Sequence, residues 1–374
     1  MFNLEKSIEN QLRIITKPKP TFIFPECNDP RIIQAMARLI PVVNCMVPCR
    51  RDLLAQHLRD QRISLPIPED DFLSQLIFLN LSEMTQYKND FARELLKLSQ
   101  GKKWELTERQ AIAELENPLN FSIMTVRQGF ANAILGGVQF TSRDYFVPCL
   151  RLLKKEQTVF ELGLFVLPDT HPTGIFKENM VAFSDVAINL APDAEALANI
   201  VLGSCCIVRD IVPLEILPTI NGVIVSYSTK DSGTGPTVDL VKAAGELIPA
   251  KLADLVQLNE AYQTLNIDWE MQISVAISES AARKKIKNYE QHPAAGRANV
   301  LTVTNLDFGN SLYHLYATTW PDALKMLQVG GIFNQALDFS RNSTAEDVVL
   351  AAKALALQHV KKSDYMGTLN QFNQ

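Results

Sequence analysis

The residues best suited to chemistry lie in ALDFSRNSTAEDVVL, residues 336–350. An apolar strand end runs into Ser340 and Arg341, and a helical pattern follows at once. Ser343 with Glu346 three residues later reads as a capping box that starts the helix. Asp347 then falls in the first turn or just past it, with Ser340 and Arg341 in the loop at its mouth. A helix amino terminus beside a guanidinium makes an anion site. A carboxylate within reach of that site is a candidate base. The plain alternative is that Glu346 and Asp347 are first-turn acids that complement the helix macrodipole.

A second stretch, VSYSTKDSGTGPTVDL (residues 225–240), reads as strand, glycine-rich loop and helix. Gly233 and Gly235 let backbone N–H groups approach a ligand, and Pro236 with Thr237 sets up the helix. Val238 stands where a complete GxGxxG would have its third glycine, so this is no dinucleotide fingerprint. Lys230 can face an anion or solvent. In the third stretch, AAGRANVLTVTNLDFGNSLY (294–313), a strand ends at Asn305 and a helix opens near Gly309 and Asn310. Loops at the carboxyl ends of parallel strands are where open α/β sheets bind ligands. Asn305 and Asn310 suit hydrogen bonds to a polar ligand, and equally suit turn and cap duty.

Other chemistries find little support. The five histidines, His57, His171, His292, His314 and His359, have no metal-ligand spacing. They read as exposed, with His314 semi-buried. No GxSxG elbow occurs. Cys45, Cys49 and His57 suggest a zinc site without a clear fourth ligand, and Cys45 lies in an apolar run. The six cysteines therefore read as buried thiols of a reducing cytoplasm. The amino terminus mixes charges and lacks a signal-peptide core, and no apolar window reaches membrane-spanning length.

These residues must be held by an ordered scaffold. The chain has 374 residues, 47% apolar and 21% charged, enough for two domains with sizeable cores. A net charge of −5 argues against affinity built on nucleic-acid phosphates. Strand-like runs at 21–26, 40–47, 74–81 and 131–138 alternate with helical patterns at 31–39, 51–60, 90–99 and 107–116. Such alternation implies parallel sheets covered on both faces. The character changes across the charged residues 153–157. Strands at 158–169 and 180–188 follow with no helix between them, a locally antiparallel piece. Helices at 194–211, 237–255, 280–289, 310–319 and 344–362 then alternate with strands at 222–228, 267–276 and 299–305. An apolar run at 330–339 and a polar, frayed tail at 363–374 complete the chain.

Taken together, VAFSDVAINLAPDAEALANI (181–200) and the three stretches above resemble the phosphate acetyltransferase and phosphate butyryltransferase family, the phosphotransacylases. TFIFPECNDPRIIQAMARLI, with its Pro–Glu and then Asp–x–Arg, resembles the family's opening strand and helix. The order of motifs matches over essentially the whole chain. The resemblance implies acyl transfer between coenzyme A and phosphate, with coenzyme A as a substrate, no tightly bound cofactor and no metal. It implies that Asp347 takes the thiol proton, Ser340 holds the thiol, and Arg341 binds phosphate and the charge of the tetrahedral intermediate. It places Ser228, Thr229, Lys230, Asp144, Asn305 and Asn310 with the substrates. A free thiol and a free Asp differ by about 4.6 pKa units, roughly 6 kcal/mol against the transfer. The helix amino terminus favours thiolate and phosphate, so the thiol is expected to be tuned more than the Asp.

The chain also departs from the family. In GGVQFTSRDYFVP (136–148) Asp144 is kept, but Phe140 replaces a His and Val147 an Arg. A second family arginine falls near Leu96 and Lys97 and is not retained. Arg143 and Arg151 are the nearby candidates to substitute. Trp269 stands where the family has Gly, which adds bulk in or near the cleft.

The resulting expectation is an α/β protein of two domains, with mostly parallel sheets flanked by helices and a cleft between them, similar to isocitrate and isopropylmalate dehydrogenases. Residues 1–157 with 330–374 form a discontinuous first domain and 158–329 the second. By resemblance the molecule is a cytoplasmic homodimer with small-molecule substrates, and with no nucleic-acid or membrane partner. The competing function is a non-catalytic paralogue that binds coenzyme A or a nucleotide and acts through partners. A metal-dependent β-decarboxylating dehydrogenase is disfavoured, for want of a paired Asp cluster and a nicotinamide loop.

Overall fold

The computed structural model describes residues 3–15, 17–153, 158–168, 175–331 and 335–372. The chain runs through α1 (Leu4–Ile14), β1 (Thr21–Ile23), α2 (Pro30–Leu39), β2 (Asn44–Val47), α3 (Arg51–Asp60), α4 (Glu69–Ser74) and β3 (Ile77–Phe78). Next come α5 (Thr85–Ser99), α6 (Glu108–Glu114), α7 (Pro118–Arg127), β4 (Ala133–Gly136) and α8 (Ser142–Leu152). After β5 (Phe160–Val166) and β6 (Met180–Ser184) follow α9 (Ala194–Ile211), β7 (Ile220–Val225), α10 (Pro236–Leu258) and β8 (Leu265–Met271). The last elements are α11 (Ile273–Ile277), α12 (Glu279–Lys285), β9 (Val300–Thr302), α13 (Leu306–Thr319), β10 (Leu324–Gly330), β11 (Ala336–Asp338) and α14 (Ala345–Phe372).

Two compact units emerge. The first, residues 15–155 and 332–360, carries a parallel sheet in the order β11-β4-β1-β2-β3. Its inner strands are apolar on both faces, with Phe22, Ile23, Ala133, Ile134 and Leu135 fully buried, as a helix-covered parallel sheet requires. Helix α7 carries no clear amphipathic period because seven of its residues are buried, Ser122 and Thr125 among them, their hydroxyls donating to the carbonyls of Pro118 and Phe121. Asn117 caps it by accepting the Leu119 N–H, with Pro118 in the first turn.

The second unit, residues 1–14, 156–331 and 361–374, has the order β10-β5-β6-β9-β7-β8. β5 pairs antiparallel with both β6 and β10, and the remaining pairs are parallel. The antiparallel piece expected across 158–169 and 180–188 is thus β5 with β6; residue 169 lies outside the described residues, as do 154–157 of the charged crossing and 332–334 of the apolar run. The strand expected at 267–276 ends at Met271. Glu270 takes a left-handed φ of +56°, the ladder with β7 shifts register there, and α11 begins two residues later.

Residues 1–14 and 361–374 group with the second unit, not with the first domain to which the sequence reading assigns them. Helix α1 buries Leu4 and Ile8, its Gln11 amide donates to the Ile211 carbonyl at 2.9 Å, and Lys361 Nζ donates to Gln11 Oε1 at 2.8 Å. The helix expected to end at 362 continues as α14 to Phe372.

Candidate active site

Every strand of the first sheet is parallel, so its carboxyl-end loops gather on one edge. One of them follows β11. Its Ser340 carbonyl accepts the Ser343 N–H at 2.8 Å and Ser340 Oγ accepts the Asn342 N–H at 3.3 Å, closing a tight turn. Ser340 and Arg341 are exposed, and the Arg341 guanidinium makes no ion pair among the described residues.

The helix start differs from the expected capping box by one residue. Thr344, not Ser343, is the cap: its Oγ1 accepts the Asp347 N–H at 3.2 Å. Asp347 Oδ2 accepts the Thr344 N–H at 2.8 Å and the Thr344 hydroxyl at 3.0 Å. Ser343 is already engaged, its N–H in the turn and its carbonyl by Arg31 Nη1 at 3.1 Å. Glu346 turns outward to an ion pair with Arg38 at 2.9 Å. Asp347 is half-buried, and its Oδ2 is the oxygen that closes the cap.

Arg31, at the start of α2, ties two of these loops together. Its guanidinium grips Asp29 through two bonds of 3.0 and 2.9 Å. It also donates to the carbonyls of Arg341 at 2.7 Å and Val138 at 2.9 Å. Beside it, Glu26 is 2% exposed and accepts the N–H groups of Gly137 at 2.7 Å, Val138 at 3.1 Å and Gln139 at 2.6 Å. Burial holds Glu26 above its ordinary pKa even against those three donors. Burial also pushes Asp29 upward, but the Arg31 bonds outweigh it and carry Asp29 below the usual value. Gly137 has a φ of +106°, and a Cβ there would lie 2.4 Å from Asp338 Oδ1, so the loop can follow this path only with glycine. The Pro–Glu and Asp–x–Arg pattern in residues 25–31 is the sequence signal for this framework; its role was not legible without the contacts.

Asp144 belongs to the same unit, at the start of α8. Its N–H donates to Thr141 Oγ1 at 3.2 Å and its carboxylate accepts the Thr141 hydroxyl at 2.7 Å. It lines a cavity of about 300 Å³ together with Trp104, Asn117, Pro148 and Arg151. The Arg151 guanidinium lies 4.9 Å above the Trp104 ring. Val147 is 42% exposed, Phe140 stacks toward Tyr145 with centroids 6.4 Å apart, and Leu96 and Lys97 lie in α5.

The remaining expected residues lie in the second unit, after β7 and β9, which are neighbouring parallel strands, with Asn310 inside α13 and the others on the loops. Ser228 is fully buried; its Oγ donates to Glu270 Oε1 and accepts the Gly233 N–H, both at 2.8 Å. Thr229 is also buried, and its Oγ1 accepts the Gln272 N–H at 3.2 Å. Lys230 pairs with buried Asp268 at 2.6 Å and lies 5.1 Å above the Trp269 ring. Asn305 caps α13 by accepting the Phe308 N–H at 3.0 Å, and Asn310 donates to the Val186 carbonyl at 3.1 Å. Asp185 organises the turn after β6, accepting the N–H groups of Glu161, Ala187, Ile188 and Asn189. Gly309 lets α13 press onto it, since a Cβ there would lie 2.0 Å from the Asp185 carbonyl oxygen.

The Trp269 ring packs against Gly245 of α10, where a Cβ would lie 2.3 Å from the ring, and another neighbour is Lys230. The expectation for the histidines needs correcting. Among the histidines, His314 is exposed, whereas His292 is half-buried with Nδ1 2.6 Å from Asp268 Oδ2. His359 is partly buried against Phe22, and His171 lies outside the described residues. Among the described residues no group of three or more His, Cys, Asp or Glu is arranged to hold a metal ion, and no helix is long and apolar enough to cross a membrane.

Comparison with known proteins identifies the scaffold. The chain is 26% identical over 349 residues to the phosphate acetyltransferase of Acinetobacter baylyi, which covers 91% of this chain and 42% of that protein. It is 25% identical over 354 residues to that of Thermoanaerobacterium thermosaccharolyticum, covering 91% of this chain and 95% of the relative. The chain thus spans under half the length of several curated relatives and nearly all of others. Among solved structures, the phosphotransacetylase of Streptococcus pyogenes superposes with a TM-score of 0.77 at 22% identity, over 96% of this chain and all of that one. The branched-chain phosphotransacylase of Enterococcus faecalis follows with a TM-score of 0.57 at 15% identity, over 91% and 98%. Both likenesses concern the fold. A family model described as Phosphate acetyl/butaryl transferase matches residues 4–356, and the chain belongs to that family.

Proposed function

We propose that the protein transfers a short acyl group, acetyl or somewhat larger, between coenzyme A and phosphate. The observation that carries this reading is the exposed Ser340–Arg341 turn leading into a helix whose first-turn Asp347 is fixed by its cap. Coenzyme A thiol gives its proton to Asp347 at Oδ1, because Oδ2 holds Thr344. Ser340 positions the sulfur. The thiolate attacks the acyl-phosphate carbonyl, a tetrahedral oxyanion forms, and phosphate leaves as the carbonyl is restored. Arg341 neutralises phosphate and the developing oxyanion. The ordinary gap of about 6 kcal/mol between thiol and carboxylate is offset mainly by stabilising thiolate through Arg341 and the α14 amino terminus.

Ser228, Thr229, Lys230, Asp144, Asn305 and Asn310 belong to substrate binding in this reading. Ser228, Thr229, Lys230 and the two asparagines act by shaping loops whose backbone meets the substrate. We read the protein as a cytoplasmic homodimer that needs no metal and no tightly bound cofactor; light scattering and activity after exhaustive chelation test those points. The decisive assay follows thioester formation from acyl phosphate and coenzyme A. Absence of turnover with acetyl, propionyl and butyryl phosphate overturns the reading.

A second reading, a paralogue that binds coenzyme A without turnover, draws support from neutral Val147 and the arginine-free stretch Leu96–Lys97, where the family resemblance leads one to expect arginines. Calorimetric binding of coenzyme A that is unchanged in Asp347→Asn, with no turnover, would select it.

A further inference from the structure

We infer that the exposed Tyr227 ring and the lysines around the end of α12 form a platform for the phosphorylated adenosine end of coenzyme A. This deepens the proposed function and rests on coenzyme A being a substrate. Both parts belong to the second unit. β7 and β8 are parallel neighbours, so the glycine-rich loop after β7 and the α11–α12 segment after β8 leave the sheet at the same edge.

Tyr227 is 57% exposed, yet it is held in place. Its hydroxyl donates to the Thr234 carbonyl at 2.6 Å, and its own carbonyl accepts the Gln272 side-chain amide at 2.9 Å. A Cβ at Gly233 would lie 3.1 Å from ring carbon Cε2, and one at Gly235 2.8 Å from the hydroxyl, so the loop folds against the ring on that side. A ring ordered in advance and left uncovered stacks a flat base with little further loss of entropy.

The cations stand beside it. Helix α12 ends in Arg283, Lys284 and Lys285, and Lys287 follows two residues on. Arg283 is taken up by Glu279 at 2.7 Å and Glu290 at 3.1 Å, and the loop's own carboxylate, Asp231, pairs with Lys242. Lys284, Lys285 and Lys287 are exposed and make no ion pair among the described residues. Lys285 Nζ donates to Gln272 Oε1 at 2.5 Å, so one glutamine joins the lysines to the Tyr227 carbonyl. Uncompensated lysines next to an open aromatic ring, in a chain of net charge −5, select a ligand that is both flat and polyanionic. Adenine stacks on Tyr227, and the 3′-phosphate and diphosphate meet the lysines. The coenzyme thereby finds cations in a chain without arginine at Val147 or across Leu96–Lys97.

Calorimetry with adenosine 3′,5′-bisphosphate, the nucleotide without the thiol arm, tests the platform without reference to turnover. Binding is expected, and Tyr227→Ala should weaken it about ten-fold through loss of base stacking. Replacing both exposed lysines, Lys284→Ala with Lys287→Ala, leaves the fold's contacts in place. It should weaken binding about three- to ten-fold at low salt, and by less as salt is raised. The upfield displacement of the adenine H2 resonance at saturating ligand should be lost in Tyr227→Ala and kept in the double-lysine variant. Undetectable binding at millimolar ligand, or affinity unchanged in either variant, overturns the proposal. ATP binding as tightly as the bisphosphate overturns it too, since the site would then serve a free nucleotide. Turnover without nucleotide binding sinks this platform alone. Nucleotide binding without turnover leaves the platform standing and sinks the acyl-transfer reading.

Discussion

The two units use buried carboxylates in the same way and leave different things exposed. In the first, Glu26 and the Asp29–Arg31 pair bind backbone groups, and the proposed reactive side chains Ser340 and Arg341 stay at the surface. In the second, Asp185, Asp268 and Glu270 also organise strand-end loops, but they consume the motif side chains themselves: Ser228 on Glu270, Lys230 on Asp268. A polar residue in a glycine-rich motif can therefore serve as scaffold for the loop that carries it. What separates the two cases is burial, since a buried hydroxyl or carboxylate must find partners inside the protein.

The sharpest way to break this contrast is Arg31→Met. It strips Asp29 of the guanidinium that balances its charge, leaving only the residue-31 N–H and the Gln139 amide, and releases the carbonyls of Val138, Arg341 and Ser343. Chemical denaturation should show a loss of about 3–5 kcal/mol, the usual result of orphaning a largely buried charge. Arg341→Ala should do the reverse, leaving stability within about 0.5 kcal/mol while kcat falls by about 100- to 1,000-fold. Equal losses of stability in the two variants would erase the distinction. In the second unit, Ser228→Ala should cost about 1–3 kcal/mol by removing one donor from buried Glu270, which keeps the Asp231 N–H, and leaving the Gly233 N–H without its acceptor, with kcat changed less than in Arg341→Ala.

The smallest effects should appear in pH profiles of stability, where two neighbouring carboxylates act with opposite sign. Asp29 titrates below its unfolded value, so its contribution is present above the unfolded pKa and is lost as pH falls through the folded one. The advantage of wild type over Asp29→Asn should therefore shrink toward acid. Glu26 titrates above its unfolded value, so its contribution is complete below the unfolded pKa and is lost as pH rises through the folded one. The advantage of wild type over Glu26→Gln should grow toward acid. Parallel slopes in urea titrations of the two variants would contradict the assigned directions.

Much of this organisation was legible in advance because it is written in short-range pattern. Strand and helix alternation announced the parallel sheets, two strands without an intervening helix announced β5 and β6, and the glycine-rich loop led to α10 with Pro236 in its first turn. The misses have physical causes. Helix α7 buries Ser122 and Thr125 along with its apolar residues, so its polar positions set no clean period, and strand β10, although preceded by Pro321–Asp322, breaks strict alternation in LKMLQVG. The cap fell on Thr344 because Arg31, more than 300 residues away in sequence, already held the Ser343 carbonyl. His292 acquired its partner Asp268 by the same kind of long-range closure. Long-range hydrogen bonds of this kind leave no local trace.

The packing of Trp269 on Gly245 bears on the history of the chain. An alanine at 245 cannot share that space with the indole, since its Cβ would lie 2.3 Å from the ring. Tryptophan at 269 is thus admitted only in a background that already has glycine at 245, and once admitted it bars the glycine from changing. The two positions form a ratchet, in which the order of substitutions is set by volume.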